Sequence, residues 1–271
     1  MTGVEVHLRE QRARGRKLLV PYLTGGITAD WIEYARGYAS AGADAIEIGL
    51  PFSDPILDGP TIQEASDRAL ARGVTTRSVL EELAAVRLGV PLIAMTYYNL
   101  VVHEGAAAFC AALAAAGVRG LIVSDVPLDE ADDLRGHAET AGVELTLLAS
   151  PVTGPERLAR IAALSRGFVY AVSLMGTTGE RDRVAGSAAL LARRLTALTD
   201  RPVLLGFGIS TPDHAAEAAT LADGVVVGTA LMRRILDGAT PAQVSAVVAG
   251  MRQALDAGSP SEVSGSASVV S

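Results

Sequence analysis

The sequence is poor in the residues on which several kinds of protein chemistry depend. Its 271 residues include one cysteine, Cys110, and one lysine, Lys17. A single cysteine excludes an internal disulfide and a cysteine-based metal cluster. A zinc site built from histidines needs several of them to converge. The chain has four histidines, far apart in sequence: His7, His103, His137 and His214.

Positive charge and long apolar runs are also scarce. Lys and Arg number 23 against 30 Asp and Glu, which gives a net charge of −7. An acidic chain without a basic cluster is a poor candidate for binding nucleic acid or an anionic membrane. No apolar run approaches the ~20 residues of a membrane helix, and residues 1–17 are polar. We therefore expect a cytoplasmic globular protein that binds neither nucleic acid nor a membrane.

Short β-type runs alternate with amphipathic, alanine-rich segments along the chain. The predicted strands are residues 18–23, 45–50, 91–98, 120–125, 144–149, 168–174, 202–208 and 224–228. The predicted helices are residues 30–41, 61–71, 76–88, 104–116, 129–141, 155–165, 187–198 and 212–221, followed by helix over most of 229–257.

Eight strand–helix units in this order predict an α/β protein with a single-domain (β/α)8 TIM barrel fold. Glycines 42, 117 and 142 stand where helices should end, as C-terminal caps do. An open, doubly wound sheet is the alternative. The barrel is expected over residues 1–257, and the Ser/Gly-rich residues 258–271 are expected to form a disordered tail.

Glu47 is the unusual residue of the second predicted strand. Strand alternation places it on the face opposite Ile46 and Ile48, either inside the barrel or against the helices. A carboxylate inside the barrel either is satisfied by a buried partner or has a perturbed pKa suited to acid–base catalysis.

The loop after this strand, residues 50–60, carries Asp54 and Asp58 among three prolines. Both aspartates are compatible with ordinary turns, in which the side chain bonds its own backbone. The alternative is that one of them reaches over the barrel mouth to a substrate donor. Barrel enzymes carry their sites at this end of the strands.

Glycines mark the ends of the last two predicted strands. Gly206 and Gly208 lie at the end of the seventh, and Gly228-Thr229 ends the eighth where a helix begins. Loops in these positions often bind phosphate in barrels.

The polar segment of residues 175–183 is interpreted either as a lid or as a surface loop.

The scarcity of lysine restricts the catalytic chemistry that the chain can perform. A Schiff-base enzyme needs a lysine at the active-site end of a strand, and Lys17 precedes the first strand. Neither imine catalysis nor protein-bound pyridoxal phosphate is expected. Cofactor-free catalysis by carboxylates on a phosphorylated substrate remains.

The stretch Ile46–Pro55, continued by Asp58–Gln63, resembles the signature of the tryptophan synthase α-subunit family. This motif is long and specific. Four further matches occur in order: Tyr97-Tyr98-Asn99, Asp125-Val126-Pro127, Gly206-Phe207-Gly208-Ile209 and Gly228-Thr229. The resemblance extends over residues 18–257.

The resemblance implies a lyase that cleaves indole-3-glycerol phosphate into indole and glyceraldehyde 3-phosphate. Glu47 would be its general acid and base, and Asp58 would bond the indole N–H. Tyr170 would lie near Glu47 and the substrate. Tyr22, Ile122 and Phe207 would line the indole slot, and the phosphate would be bound by Gly179, Gly208, Gly228 and Thr229. No metal and no cofactor is implied in this subunit.

A partner is also implied. The family's α-subunit docks on a pyridoxal-phosphate-dependent β-subunit in an αββα tetramer, which uses the indole to make L-tryptophan. The loop around Asp54 and the loop after the sixth strand would respond to that partner, with Asp125 communicating between them. Two segments, residues 24–28 and 174–179, depart from the family pattern, which places the partner dependence in question more than the chemistry.

Three other functions remain open on the sequence. One is a stand-alone lyase that releases free indole. Another is a different phosphate-binding barrel, such as a sugar-phosphate isomerase. The third is a non-catalytic α-like protein that only binds or activates a partner.

Overall fold

Eight parallel strands close into a barrel in the computed structural model, which describes residues 3–172, 181–206 and 208–258. Each strand pairs with the next, and β1 pairs with β8. The strands are β1 (Leu18–Thr24), β2 (Ile46–Gly49), β3 (Leu92–Thr96), β4 (Val118–Val123), β5 (Glu144–Ala149), β6 (Val169–Val172), β7 (Val203–Gly206) and β8 (Gly224–Val227). The predicted (β/α)8 barrel is confirmed, and the open-sheet alternative is wrong.

Helices surround the barrel, and one precedes it. In chain order they are α1 (Val4–Ala13), α2 (Trp31–Ser40), α3 (Pro60–Ala71), α4 (Thr76–Ala84), α5 (Tyr98–Glu104), α6 (Ala106–Ala115), α7 (Ala131–Ala141), α8 (Pro155–Leu164), α9 (Arg181–Thr196), α10 (Pro212–Ala219), α11 (Thr229–Leu236) and α12 (Pro241–Ala257). Within the described ranges, no single helix is long and apolar enough to cross a membrane. The pair α5–α6 passes by length and composition but is bent by 98°.

Two predicted elements have different boundaries in the structure. The third strand ends at Thr96 and is followed by helix α5, which the sequence interpretation missed. Helix 229–257 is two helices. Gly238, at a φ of 88°, ends the first, and Thr240 begins the second with a reciprocal capping box that includes Gln243.

Glycines end helices where the sequence predicted them. Gly42, Gly117 and Gly142 have φ values of 93°, 82° and 70°. A residue with a Cβ rarely adopts this left-handed conformation, which is common directly after a helix. These positions therefore separate one strand–helix unit from the next.

The apolar core has two layers, as expected for a barrel inside a ring of helices. The outer layer, between strands and helices, includes Ile46 and Ile48. The inner layer fills the barrel with Val4, Leu8, Leu18, Val20, Ala45, Ile93, Ile122, Phe168, Tyr170, Leu204 and Val226. Since Val4 and Leu8 belong to α1, that helix closes the amino-terminal end of the barrel.

A carboxylate holds α1 in this position. Glu144, the first residue of β5, accepts a hydrogen bond from the Glu5 amide at 2.7 Å. A negative charge at a helix amino terminus satisfies free amides and interacts favourably with the helix dipole.

The boundary proposed at residue 258 remains a prediction, because residues 259–271 lie outside the described part of the chain.

Candidate active site

Glu47 lies inside the barrel, which resolves the alternative that the sequence left open. In the sheet, Glu47 is paired with Tyr22 of β1 and with Ile93 of β3. Ile93 belongs to the inner layer of the core. The side chain is fully buried. Burying an ionised carboxylate is costly unless donors surround it. The surroundings of Glu47 therefore decide what the residue can do.

Two buried carboxyl groups, three residues apart, have opposite environments. Asp44 accepts hydrogen bonds from the Leu19 amide at 2.8 Å and from the Arg16 and Arg252 guanidinium groups at 2.6 and 3.2 Å. Neither oxygen of Glu47 has a hydrogen-bond partner among the described residues. Asp44 is paired with two guanidinium groups, whereas Glu47, inside the barrel, is left without a partner in the described part of the chain.

The free carboxyl group is consequently a weak acid. Burial, and to a smaller extent the nearby Asp58 charge, together raise the pKa of Glu47 to about 8. A carboxyl group with this pKa carries its proton at neutral pH and can both donate and accept one near that pH.

The β2–α3 loop separates the two aspartates that the sequence singled out. Asp54 is exposed and accepts a hydrogen bond from the neighbouring Ser53 hydroxyl. Asp58 is partly buried, and its carbonyl accepts a hydrogen bond from the Gln63 side chain at 2.9 Å. Of the two, Asp58 is the aspartate whose charge reaches Glu47.

Tyr97 holds the Asp58 carboxylate from the next strand–helix unit. Its hydroxyl donates to Asp58 Oδ2 at 2.9 Å and accepts from the Leu57 amide at 3.0 Å. Burial raises the pKa of Asp58, and the hydrogen bond from Tyr97 lowers it. The sequence analysis noted Tyr97 only as part of a motif, because nothing local to it indicates contact with a residue 39 positions earlier.

Tyr22, Ile122 and Tyr170 are all buried, and the last two share the inner layer of the barrel. Burial and the Glu47 and Asp58 charges raise the pKa of both tyrosines, so both hydroxyls stay neutral. Three of the residues predicted to surround the substrate therefore lie in or beside the space that contains Glu47.

Two glycines make room for the tyrosine rings. A Cβ on Gly49 would overlap the Tyr22 hydroxyl, and a Cβ on Gly206 would lie 2.5 Å from Tyr170 Cε2. Contacts this short essentially exclude a side chain. Gly206, predicted to lie in a phosphate-binding loop, accommodates the Tyr170 ring in the structure. The role of Gly49 was not foreseen.

The described residues around Asp58 leave a cavity of about 10 Å³. Its lining includes Tyr22, Phe52, Asp58 and Tyr97. This is about the volume that one water-sized sphere occupies.

The predicted phosphate loops leave the barrel side by side, because β7 and β8 are neighbours. Gly208 has a φ of 54°, and a Cβ there would meet no atom within 4 Å. Gly228 is the residue before α11, and Thr229 is the first residue of that helix. First-turn helix amides lack intrahelical acceptors and suit an anion. Gly179 and Phe207, predicted to bind phosphate and indole, lie outside the described residues, as do residues 175–180 of the predicted lid.

Lys17 lies at the far end of the barrel, as predicted. It precedes β1, and its ammonium group donates to the Ala222 carbonyl at 2.9 Å, just before β8. In the described ranges, no group of three His, Cys, Asp or Glu side chains could hold a metal ion. The titratable groups that interact electrostatically with Glu47 are Asp58, Tyr22 and Tyr170.

A family model described as "Tryptophan synthase alpha chain" matches residues 8–257. A relative of that name from Cyanothece sp. is 43% identical over 257 residues, which covers 92% of this chain and 95% of the relative. Another from Gloeobacter violaceus is 46% identical over 233 residues and covers 84% of each chain.

Solved structures agree. The tryptophan synthase subunit alpha of Legionella pneumophila superposes with a TM-score of 0.86 at 32% identity, covering 95% of this chain and 99% of that one. A chain of Mycobacterium tuberculosis tryptophan synthase gives 0.85 at 36% identity, covering 93% and 97%. The similarity thus includes all eight strand–helix units.

Proposed function

The chain belongs to the tryptophan synthase alpha chain family, and on that premise we propose how its residues cleave indole-3-glycerol phosphate. The enzyme is a carbon–carbon lyase that releases indole and glyceraldehyde 3-phosphate. The bond that breaks joins indole C3 to the side-chain carbon that carries a hydroxyl group. The observation that carries the proposal is the buried Glu47 carboxyl group, which lacks a partner within the described structure.

Glu47 supplies both proton transfers. With a pKa of about 8 it holds a proton at neutral pH, and it delivers this proton to indole C3. The resulting carboxylate accepts the proton of the substrate hydroxyl as the carbon–carbon bond breaks and the aldehyde forms. Glu47 is then protonated again, so one group acts as acid and base in a single turnover.

Asp58 stabilises the charge that this step creates. Protonation at C3 leaves a positive charge on the ring that extends to its nitrogen. An ionised Asp58 accepts the indole N–H and offsets this charge, which is an electrostatic contribution specific to the transition state. Two neighbouring carboxyl groups thus adopt opposite protonation states, one as acid and one as anion.

The remaining site residues bind the two ends of the substrate in this proposal. Tyr22, Ile122 and Tyr170 enclose the indole end, together with Phe207. The amides near Gly208, Gly228 and Thr229 bind the phosphate, with Gly179 from the loop after β6. The position of α11 after β8 supports this assignment, since its amino terminus faces the active-site end of the barrel.

Partnership with a β subunit in an αββα tetramer is part of the proposal. Four large apolar side chains are exposed on segments that follow β2, β3 and β5: Ile56, Leu57, Val102 and Val152. Exposed apolar groups at one end of a protein are typical of an interaction surface.

The lyase step uses no cofactor or metal here, and pyridoxal phosphate is assigned to the β subunit alone. We place the reaction in the cytoplasm, and the single cysteine, Cys110, is a buried free thiol.

Indole release from indole-3-glycerol phosphate by the purified protein tests this function, measured with and without a tryptophan synthase β subunit. We expect slow release, in equal amounts with glyceraldehyde 3-phosphate, that the β subunit accelerates. Glu47→Gln is the control and should retain substrate binding without turnover.

Other outcomes identify the alternatives. Rapid release that the β subunit does not change indicates a stand-alone lyase. Substrate binding without release indicates a non-catalytic partner protein. Turnover of a sugar phosphate, with no response to indole compounds, indicates an isomerase and contradicts the proposal.

A further inference from the structure

Tyr97 connects the backbone and the carboxylate of the β2–α3 loop through one oxygen atom. Its hydroxyl donates to Asp58 Oδ2 at 2.9 Å and accepts from the Leu57 amide at 3.0 Å. A hydroxyl group has one proton to donate. The bond from Leu57 leaves that proton directed at Asp58, so the donor and acceptor roles are both determined.

The ring that carries this hydroxyl is held firmly. Tyr97 is 4% exposed, and its ring stacks on Phe52 with centroids 5.1 Å apart and planes inclined by 25°. The following amide, of Tyr98, donates to the Asp125 carboxylate at 2.6 Å. Tyr97 is thus anchored both to the β2–α3 loop and to the segment after β4.

The hydrogen bond from Tyr97 occupies one oxygen of the Asp58 carboxylate and leaves the other oxygen available. In the described part of the chain, Asp58 Oδ1 makes no hydrogen bond, whereas Oδ2 accepts from Tyr97. A carboxylate held at one oxygen by a rigid donor has a defined direction for the second. Small errors in this direction are expensive in catalysis, because charge stabilisation depends on preorganised geometry.

We propose that Tyr97 is a positioning residue for the lyase reaction, which orients Asp58 Oδ1 toward the indole N–H. This inference rests on the function proposed above. Tyr97 acts through Asp58 and does not exchange protons with the substrate. Burial raises the Asp58 pKa overall, and the hydrogen bond from Tyr97 opposes this effect.

Tyr97→Phe tests the inference, because it preserves the stacked ring and removes only the hydroxyl. We expect kcat/KM to fall by roughly ten- to a hundredfold, mainly through kcat. The acid limb of the pH profile of kcat/KM should move to higher pH, because Asp58 then ionises less readily. A carbon-13 NMR titration of the Asp58 carboxyl group should show the same rise in pKa without any need for turnover.

Tyr38→Phe is the matched control. Tyr38 of α2 is fully buried, and its hydroxyl has no hydrogen-bond partner among the described residues. Its loss should leave the kcat/KM profile and the Asp58 titration unchanged.

The results separate the two proposals. If the unmodified protein releases no indole, the proposed function fails, and the inference fails with it as a statement about this reaction. If the unmodified protein is active and Tyr97→Phe leaves the Asp58 titration unchanged, the inference alone is overturned. A loss of activity with an unmoved acid limb also overturns it, since it would indicate a purely structural role.

Discussion

Replacing Glu47 with glutamine is expected to remove activity and to make the protein more stable at neutral and alkaline pH. The carboxyl group is fully buried, and its two oxygens have no partners in the described structure. Its charged form is therefore unfavourable in the folded state. Glutamine has nearly the same shape and cannot ionise, so the substitution removes the cost of holding that charge.

The magnitude follows from the pKa of Glu47, which rises from 4.5 to about 8 on folding. Between these values the folded protein retains a proton that the unfolded chain releases, so the free energy of unfolding falls as the pH rises. One pKa unit corresponds to about 1.4 kcal/mol. The stability of the unmodified protein should therefore fall by about 3 kcal/mol between pH 5 and pH 8 relative to Glu47→Gln.

Urea denaturation of both proteins at several pH values measures this difference. Glu81→Gln, on an exposed position of α4, is the control for removal of a carboxylate. Its stability curve should run parallel to that of the unmodified protein. Parallel curves for Glu47→Gln as well would refute the reasoning, because Glu47 would then ionise as easily in the folded protein as in the unfolded chain.

Three further substitutions test other parts of the structure. Asp58→Asn should lower kcat/KM by about 10²–10⁴-fold. It should also move the alkaline limb of the pH profile of kcat/KM to lower pH, because the charge that raises the Glu47 pKa is lost. An alkaline limb that does not move contradicts the electrostatic coupling of Asp58 to Glu47. Gly49→Ala should displace the Tyr22 ring and lower the free energy of unfolding in urea by about 1–3 kcal/mol. Gly136→Ala in α7 is the control, because a Cβ there meets nothing within 4 Å, and it should stabilise the protein by about 0.5–1 kcal/mol. Equal effects of the two substitutions would show that the predicted overlap with Tyr22 is absent. Glu144→Gln should cost about 1 kcal/mol by weakening the cap on α1 while preserving kcat, and an unchanged urea midpoint would contradict that role.

The fold was predictable because its signals are local. Continuous apolar strands, amphipathic helices and helix-ending glycines such as Gly142 repeat in each unit. The helix that the prediction missed, α5, is a short helix of seven residues that contains two adjacent valines. β-branched residues favour strands in isolation, so its helical conformation depends on its surroundings.

The site was predictable only in part, because its geometry depends on contacts between distant units. Strand alternation showed that Glu47 faces away from Ile46 and Ile48, and the closed barrel was needed to identify that face as the interior. The difference between Asp54 and Asp58 became visible only with Tyr97 in place. A tyrosine that contacts an aspartate 39 residues away leaves no local pattern in the sequence.

Helix α1 gives the barrel one entrance instead of two. Val4 and Leu8 fill the end opposite the active site, so side chains of the described residues close the barrel below Glu47. In the proposed mechanism, protons then reach this carboxyl group by the same rim through which the substrate enters. Once a substrate occupies that rim, Glu47 is separated from the bulk solvent. The proton given to indole C3 is then the one already on the acid, and the hydroxyl proton of the substrate replaces it for the next turnover.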